Sequence, residues 1–300
     1  MLVDGHEIKI TGKFIKTAEL KEEWDIDLDD PESFIAKLKA AGIKADLFTF
    51  AQRLPDSKPK FSYVMEWDSV AAIPITTYDH WLKNQVAQNS RKKVGLAKRK
   101  NVELRICEFN DEFVRGILEI YHEAPIMHGK PNRQYHTDFE TAKKLNSTFL
   151  DRAQFIGAFV NDELIAYIKL VHAGKYTRTM GILTKIAHRD KGAMNLLISK
   201  AVEVCATQGD PYLIYSKFNY GKRGSETLKE FKKNLGFESV IVPRYYLPLT
   251  LWGKIVLHLR LYGDVIDILP EKFLRFMLEL RNKRNERKYL SQSQVRVDEI

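Results

Sequence analysis

The segment that decides the fold runs from Gln154 to Phe237 and reads QFIGAFVNDELIAYIKLVHAGKYTRTMGILTKIAHRDKGAMNLLISKAVEVCATQGDPYLIYSKFNYGKRGSETLKEFKKNLGF. Two apolar, β-prone runs stand near its start and are separated only by Asn161, Asp162 and Glu163. Asn-Asp tolerates the positive φ of a hairpin turn. A third run alternates with a period of two residues. The pattern therefore predicts three successive strands, over residues 155–160, 164–171 and 176–186.

The periodicity changes after the third strand. From Met194 to Cys205 the apolar residues follow i, i+3, i+4, i+7, i+8 and i+11, which is one stripe of a helix. Gly209-Asp210-Pro211 ends this helix, and residues 212–218 read as a short buried strand. A second helix is predicted over residues 226–235, with Gly236 as the residue that closes it.

The turn before the first of these helices is rich in positive charge. It reads His188-Arg-Asp-Lys-Gly-Ala-Met194. The first N–H groups of a helix lack internal partners, and the helix dipole favours an anion there. Gly192 would let the backbone approach a phosphate, while Arg189 and Lys191 add charge. The turn indicates a phosphate site, and a basic loop that only caps a core helix is the alternative.

This order of elements resembles the GNAT acyltransferases, in which it forms a pocket for coenzyme A. The turn is similar to the GNAT pyrophosphate loop, Gln/Arg-x-x-Gly-x-Gly/Ala, with Arg189 and Gly192 in register and Met194 where a small residue is usual. Other segments resemble the FemAB-like branch of that superfamily, and the resemblance covers most of residues 60–250. These segments are Tyr78–Trp81, Ser90–Val102, Ile120–Pro125, Phe155–Ala158 and Pro243–Leu249.

The resemblance implies a donor and residues that hold it. The FemAB-like branch includes enzymes that transfer amino acids from aminoacyl-tRNA onto peptidoglycan precursors, and relatives classed as acetyltransferases. The resemblance implies that acyl-CoA is the donor and that no metal takes part. The cofactor-binding residues would be Leu183, Arg189, Lys191, Gly192 and Ala193. The splayed strand near Leu183 would supply a backbone N–H to the developing oxyanion.

The sequence departs from the GNAT pattern at the group that protonates the leaving thiolate. Phe231-x-x-x-Leu-Gly-Phe237 is similar to the GNAT segment Tyr-x-x-x-Gly-Phe, whose tyrosine is that acid in many GNAT enzymes. Phe231 has no proton to give. Another group supplies the acid, the thiolate leaves unassisted, or catalysis is lost. We predict Tyr215, near the end of its strand, as the replacement.

A loop over residues 121–135 is the predicted acceptor site. In a GNAT fold the connection between the first two helices roofs the acceptor. An attacking amine must be neutral, so a base or a water chain is needed. The loop gathers Glu123, predicted as catalytic, with His122, His128 and Tyr135 predicted to bind the substrate. Each of these residues also has an ordinary structural explanation.

The charge of the chain points to an anionic partner. Its 300 residues carry a formal net charge of +9, and residues 91–100 hold six basic residues with no acid among them. This run would meet the CoA 3′-phosphate, the pyrophosphate of a nucleotide sugar or lipid, or tRNA. A solvated helix face is the alternative. Aromatic residues are not interleaved there for base stacking, which weakens the RNA interpretation.

Several classes of protein do not fit the sequence. The N-terminus carries charge at once and lacks the apolar core of a signal peptide, and no window reaches eighteen uncharged apolar residues. No Cys/His cluster has zinc spacing. Cys107 and Cys205 fit buried free thiols in a reducing environment. We therefore expect a cytoplasmic protein.

Four domains are predicted. Residues 1–77 form a shortened GNAT-like unit with a helix over 29–41. Its strands would cover 8–11, 14–16, 47–50, 61–65 and 70–75, with a turn at Trp67-Asp-Ser69. Residues 78–102 are a basic connecting helix interrupted near Gly95, and residues 103–250 are the GNAT acyltransferase domain. Residues 251–300 hold two amphipathic helices, over 251–262 and 270–280, and a basic tail.

The C-terminal helices have two interpretations. Trp252, Phe273 and Phe276, with the basic residues that flank them, would suit peripheral contact with a membrane surface. Docking onto the protein body is the favoured interpretation, with the last residues frayed.

The sequence as a whole predicts an α/β (α+β) protein of GNAT fold, with a mixed central β-sheet flanked by helices. The expected function is an acyl-CoA-dependent N-acyltransferase that acts on an amino group of a cell-envelope or polysaccharide precursor. One alternative is an aminoacyl-tRNA-dependent aminoacyltransferase that forms a peptide bond. A second alternative is a non-catalytic binding module that has kept the fold.

Overall fold

The described residues between Gln154 and Phe237 fold as their pattern predicts. In the computed structural model, which describes residues 1–127, 130–219 and 226–262, the chain forms two compact units. The first contains Met1–Ala71 together with residues 217–219 and 239–262, and the second contains residues 72–216 and 226–238. Both units combine helices with a mixed sheet, which confirms the predicted fold class.

The second unit carries the predicted strand and helix order. Its strands lie side by side as β12, β11, β10, β9 and β6, with only the β11–β12 pair parallel. These strands are β6 (Glu103–Cys107), β9 (Ala153–Val160), β10 (Glu163–His172), β11 (Thr177–Thr184) and β12 (Tyr212–Lys217). The turn between β9 and β10 is a hairpin in which Asn161 and Asp162 have positive φ, as predicted.

The helices of this unit cover its sheet. They are α2 (Tyr78–His80), which continues as a π-helical segment over Trp81–Gln85, α3 (Gln88–Arg99), α4 (Asp111–Tyr121), α5 (Phe139–Asn146), α6 (Ala193–Gln208) and α7 (Glu226–Asn234). A small hairpin of β7 (Ile126–Met127) and β8 (Lys130–Pro131) follows α4. Apolar residues of α4 pack with Phe155 of β9 and with Leu164 and Tyr167 of β10. This packing fixes the position of the loop that follows α4.

The first unit is built on its own hydrophobic core. Its strands are β1 (Leu2–Val3), β2 (His6–Thr11), β3 (Thr17–Leu20), β4 (Leu47–Ala51) and β13 (Glu238–Pro248), with β5 (Val64–Pro74) beginning here and ending in the second unit. Helix α1 (Pro31–Ala40) places Phe34 and Leu38 against Phe48 and Tyr245. Helix α8 (Leu251–His258) follows β13. None of the helices in the described ranges is long and apolar enough to cross a bilayer.

Three local predictions were wrong. Residues 67–69, expected as a turn, lie within the continuous strand β5, and residues 14–16, expected as a strand, precede β3. The helical stretch from Tyr78 breaks at Val86 and Ala87, where the backbone is extended, and α3 runs unbroken through Gly95. Glycine lowers helix propensity, but Val94 and Ala97 are buried on this helix and their packing outweighs that cost.

The two cysteines differ from each other. Both are free, as predicted, and Cys205 is fully buried in α6, where burial raises its thiol pKa to about 12. Cys107 is only half-buried, because β6 lies at the edge of its sheet. The expectation of burial is therefore corrected for Cys107. The predicted helix over 270–280, with Phe273 and Phe276, lies outside the described residues.

Candidate functional site

The second unit has an opening between two neighbouring parallel strands. Strands β11 and β12 are registered at two positions only, Thr177 with Leu213 and Arg178 with Ile214. The Thr179 hydroxyl then donates to the Ile214 carbonyl oxygen at 3.1 Å. Beyond this point β11 continues to Thr184 paired with β10 on its other side. Strands that part in this way leave edge backbone groups outside the ladder, where an extended ligand can bond to them.

An irregularity in β11 lies beside this opening. The β10–β11 register passes from Lys169 opposite Gly181 to Leu170 opposite Thr179, so Met180 is an extra residue in β11. A bulge of this kind changes the direction of the strand and of its backbone groups. Leu183 was predicted to bear the oxyanion N–H, but it lies in regular register with Tyr167 and is half-buried. The structure thus places the irregular backbone at Met180, three residues earlier.

Tyr215 lies where the two strands part. It is the first residue of β12 after the last registered pair, and it is half-buried. The Nζ atom of Lys232 lies 5.0 Å from the centre of the Tyr215 ring, and the Phe237 ring packs edge-on against it at 5.6 Å. A cation over an aromatic face is attracted to it, and more strongly when water is excluded.

Lys232 is the functional candidate that sequence reasoning missed. Its side chain is fully buried on α7, and burial lowers the pKa of its ammonium to about 8. Phe231, which takes the place of the tyrosine in the resembled GNAT segment, is only half-buried. The sequence carried one signal for Lys232. With Leu228, Phe231 and Leu235 it occupies the stripe at i, i+3, i+4 and i+7, where an apolar residue is expected.

The end of α7 is held by the segment that precedes α3. Gly236 has φ +85°, as expected for the residue that closes a helix, and the Phe237 N–H bonds to the Lys232 carbonyl at 3.0 Å. The Trp81 indole donates to the Leu235 carbonyl at 3.0 Å, and Trp81 is fully buried. These contacts fix Lys232 and Phe237 around Tyr215.

The loop between β11 and α6 has the conformation of a helix start. Residues Ile186–Lys191 form a 3-10 turn, and Gly192 with φ +73° is the N-cap of α6. Arg189 is exposed and Lys191 half-exposed, whereas Gly192 and Ala193 are buried. A Cβ atom at Gly192 would lie 2.5 Å from the carbonyl oxygen of Lys93 in α3. The close approach of α3 therefore accounts for the glycine.

The surroundings of the first residues of α6 bear on how a diphosphate would bind there. The resemblance implied that Gly192 and Ala193 would hold the pyrophosphate of CoA. Gly192 and Ala193 are buried, and the Lys93 carbonyl oxygen approaches Gly192 on the side that a Cβ atom would occupy. The diphosphate contact of these two residues stays a prediction. An anion can also meet the outer side of the loop, where Arg189 is exposed.

The structure brings together two features that are about ninety residues apart in sequence. Helix α3 packs on α6 and on the 3-10 turn, and the Lys100 ammonium pairs with the Asp190 carboxylate. The buried face of α3 contains Val94 and Ala97. Its exposed bases are Arg91, Lys92, Lys93, Lys98 and Arg99. The predicted basic run and the predicted phosphate turn thus form one positively charged region, here named the basic face.

Glu123 links the predicted acceptor loop to the same turn. Its carboxylate accepts a hydrogen bond from the Ala187 N–H at 2.7 Å and another from the Ile186 N–H. A carboxylate suits this position because the first N–H groups of a helical turn point outward together. Both oxygens are engaged in holding the turn. The geometry supports a positioning role for Glu123, and its predicted catalytic role stays a prediction.

The remaining predicted acceptor residues lie on one loop. The His122 Nε2 atom is 2.7 Å from the Thr137 carbonyl oxygen, and its ring lies edge-on to Tyr135 at 6.4 Å. Asn132 organises the loop, since its buried amide donates to the carbonyl oxygens of Tyr121 and Ala124. His128 lies outside the described residues. Tyr215 lies on β12, one of the two strands that form the opening, and contacts Lys232 and Phe237.

The charges at the end of β11 are compensated locally. Lys185 bonds to Glu119 at 2.9 Å and to Glu163 at 2.7 Å. Burial opposes its charge, but these two carboxylates raise its pKa above the ordinary value. Lys185 is therefore committed to holding the strand end. Within the described ranges, no group of three or more His, Cys, Asp or Glu side chains is arranged to hold a metal ion.

Comparisons with known proteins give likeness in structure but not in sequence. No family model and no curated protein matches the chain. One similar solved structure is the C-terminal domain (DUF2156) of an Agrobacterium fabrum protein that carries the provisional name lysylphosphatidylglycerol synthetase. It is 15% identical with a TM-score of 0.55, over 86% of this chain and 88% of that one.

Two other solved structures have a similar likeness. L-PGS from Bacillus licheniformis is 14% identical with a TM-score of 0.52, and 87% of each chain is covered. A conserved protein of unknown function from Bacteroides thetaiotaomicron VPI-5482 is 12% identical with a TM-score of 0.53, over 79% of this chain and 80% of that one. At these identities the likeness establishes a shared fold, and it extends over most of each chain.

Proposed function

We propose that the chain is an acyltransferase that forms an amide on the amino group of an acceptor, with its reaction centre in the second unit. The observation that carries the proposal is the parting of β11 and β12 beside Tyr215 and Lys232. Edge backbone groups bind an extended acyl chain there, and a proton donor stands beside it. This arrangement needs few catalytic side chains.

The reaction is a direct attack of the neutral amine on the carbonyl carbon of an activated acyl group. A C–N bond forms, and the carbonyl oxygen becomes an oxyanion held by backbone N–H groups near the Met180 bulge. The oxyanion then collapses, the bond from carbon to the leaving sulfur or oxygen breaks, and that atom takes a proton. The amine loses a proton to water or to a nearby base.

Lys232 and Tyr215 together supply the proton of the leaving group. With a pKa of about 8, Lys232 is mostly protonated near neutral pH and gives up its proton more easily than an exposed lysine. Its position over the Tyr215 ring keeps positive charge where the leaving anion develops. Tyr215 is the proton donor in contact with the leaving atom, and the ammonium of Lys232 stabilises the negative charge that develops on that atom.

The acceptor approaches from the loop after α4. His122 and Tyr135 pack together on this loop and are proposed to contact the amine. Glu123 holds the loop to the turn before α6 through two backbone N–H groups. The proposed acceptor is a cell-envelope or polysaccharide precursor, which reacts through an amino group.

Two donors are consistent with this chemistry. For acyl-CoA, the exposed Arg189 and the bases of α3 would meet phosphates on the outer side of the loop. Aminoacyl-tRNA carries no diphosphate, so it would need no contact at the buried residues Gly192 and Ala193, and its backbone phosphates would meet the basic face. The provisional name lysylphosphatidylglycerol synthetase, borne by a protein of the same fold, denotes a product that contains a lysyl group, so an aminoacyl group is kept as the second candidate for the group transferred.

The test is product formation with each donor. The full chain is incubated with a peptidoglycan-precursor extract and with either acetyl-CoA or a mixture of aminoacyl-tRNAs, and new amides are sought by mass spectrometry. An acetyl increment identifies acyl-CoA as the donor, and an aminoacyl increment identifies aminoacyl-tRNA. Binding of either donor without any amide product would contradict the proposal and leave a binding module.

A further inference from the structure

A second surface, in the first unit, is apolar where a solvent-facing helix should be polar. Along α8 and the residue after it, Leu251, Ile255 and Leu259 follow i, i+4 and i+8, with Trp252 beside them. They are 78%, 48%, 55% and 47% exposed, respectively. Single exposed apolar residues are ordinary, but a contiguous stripe on one helix marks a contact surface. We name these four residues the α8 stripe.

The stripe cannot be removed from solvent by turning the helix. The opposite face of α8 is already buried, with Val256 and Leu257 packed on Leu47. Gly253 is pressed against the body of the unit, since a Cβ there would lie 2.0 Å from the Asp46 carbonyl oxygen. Thr250 caps the helix by accepting from the Gly253 N–H at 2.9 Å. The packing of α8 on the first unit thus keeps the α8 stripe exposed to solvent.

A neighbouring loop displays another apolar side chain. Phe14 is 93% exposed and lies between Lys13 and Lys16, which are also exposed. This loop is tied to Asp46, the same residue that seats α8, because the Lys16 N–H donates to the Asp46 carboxylate at 2.8 Å. Two segments far apart in sequence therefore present exposed apolar residues from one anchored region.

Charge decides which partner this surface suits. Residues 249–262 contain no acidic residue, while Lys254, His258 and Arg260 are exposed around the stripe. The Asp46 carboxylate lies at the start of the helix, where the Thr250 hydroxyl and the Lys16 N–H donate to it. Along the helix itself, apolar side chains that include a tryptophan and are flanked by bases are the pattern of a helix that lies in the interface of an anionic bilayer. A protein partner of balanced charge would not require the absence of acids.

We propose that α8 and the Phe14 loop bind the surface of an anionic lipid bilayer, with the α8 stripe inserted among the headgroups. The inference rests on the first unit alone and does not depend on the proposed acyl transfer.

The experiment is co-sedimentation of the full chain with vesicles. Phosphatidylcholine vesicles are compared with vesicles in which about a third of the lipid is phosphatidylglycerol. The wild type should bind the anionic vesicles and lose binding as salt rises. Trp252→Ser with Ile255→Ser should reduce the partition coefficient by roughly tenfold or more. Ile241→Ser, which removes an apolar residue 49% exposed on β13, should bind like the wild type.

A second measurement locates the contact. Trp252→Phe keeps the apolar stripe, so it should still bind, but quenching of tryptophan fluorescence by brominated lipid should fall sharply. Equal binding of the Ser double variant and the wild type would overturn the proposal. The absence of binding to anionic vesicles would also overturn it. In that case a dimer in light scattering would identify a second copy as the occupant of the α8 stripe. Trp252 fluorescence that is already blue-shifted without lipid would instead identify the chain's own C-terminal segment.

Discussion

Single residues carry most of the chemical argument, and Lys232 is the most informative. Its neighbour Lys233 is exposed, so the two lysines differ only in the face of α7 that they occupy. The periodicity of the sequence placed Lys232 on the apolar stripe of α7, but it did not identify the residue against which Lys232 packs. That Tyr215 lies against it depends on how α7 packs on β12, which no local pattern determines.

Lys232→Met should stabilise the protein and impair it as a catalyst. Burial lowers the pKa of Lys232 to about 8 from its ordinary 10.5, which corresponds to on the order of 1–3 kcal/mol of unfavourable free energy near neutral pH after solvent screening is allowed for. The substitution should therefore raise the free energy of unfolding by about 1–3 kcal/mol at pH 7. The rate of amide formation should fall by about 10²-fold or more. Denaturant unfolding and product formation measure the two effects.

The sign of the pH dependence follows from the same shift. Between about pH 8 and 10.5 the unfolded chain binds more protons at this site than the folded chain. Lys232 therefore makes stability rise with pH in that window, and Lys232→Met should lose this contribution. Lys233→Met is the matched control and should keep it. Identical pH profiles for wild type and Lys232→Met would show that Lys232 is not a strained buried cation.

Tyr215→Phe tests the proton donor. The substitution keeps the ring that packs against Phe237 and under Lys232 and deletes only the hydroxyl. We expect kcat to fall by about 10²-fold, the low end for a general acid, because the leaving group is already good. Donor affinity should be unchanged. Tyr212→Phe, on the same strand, serves as the control, and unaltered turnover of Tyr215→Phe would assign Tyr215 a structural role.

Gly192 was recognised from sequence, but for another reason than the structure gives. The sequence predicted a phosphate contact, and the structure adds a close approach of the Lys93 carbonyl oxygen on the side that a Cβ atom would occupy. Gly192→Ala should cost about 2–4 kcal/mol, because the new Cβ meets that oxygen and φ is +73°. Gly209→Ala has nearly the same φ and open space around its Cβ, so it should cost only about 1 kcal/mol. Equal melting temperatures for the two variants would disprove the close contact.

At the scale of elements, the sequence was most informative where periodicity was long. The strands and helices from β9 to α7 lie within two or three residues of their predicted bounds. The errors fall where one residue was given too much weight. Asp68, read as part of a turn, is held inside β5 by Arg244 at 3.0 Å and Lys217 at 3.0 Å. Such long-range ion pairs are invisible to a local pattern.

The junction of α3 with the turn before α6 gives a prediction at this scale. If the basic face binds tRNA, the logarithm of affinity should fall with the logarithm of salt by about 0.7 for each phosphate contacted on a single strand. Arg91→Gln, Lys92→Gln and Lys93→Gln together should lower both the affinity and this slope. The measurement is a filter-binding titration with aminoacyl-tRNA over a range of salt.

A charge-matched variant separates the basic face from net charge. This control variant also loses three positive charges, but from exposed sites in the first unit: Lys37→Gln, Lys39→Gln and Lys44→Gln. They should leave the salt slope as it is. If both triple variants weaken binding equally, the effect belongs to the overall charge of the chain, and α3 has no special part in RNA binding.

For the whole molecule, the order of predicted elements indicated an α/β protein but not how the chain is shared between its two units. Strand β13 follows α7 directly in sequence, yet nearly all of it belongs to the first unit, where it pairs with β4. The pairing of Tyr245 with Phe50 joins residues nearly two hundred positions apart. Long-range pairings of this kind depend on global packing, so the sequence left them open.

The most direct test of the account is hydrogen exchange with and without donor. Acyl transfer between β11 and β12 requires the donor to bond to backbone groups where the strands part. Saturation with the donor that supports amide formation should slow exchange of the amides in residues 179–184 of β11 and at Tyr215 and Ser216 of β12. Exchange in α8 and β2 should not change. Protection elsewhere with these strands unaffected would contradict the proposed reaction centre.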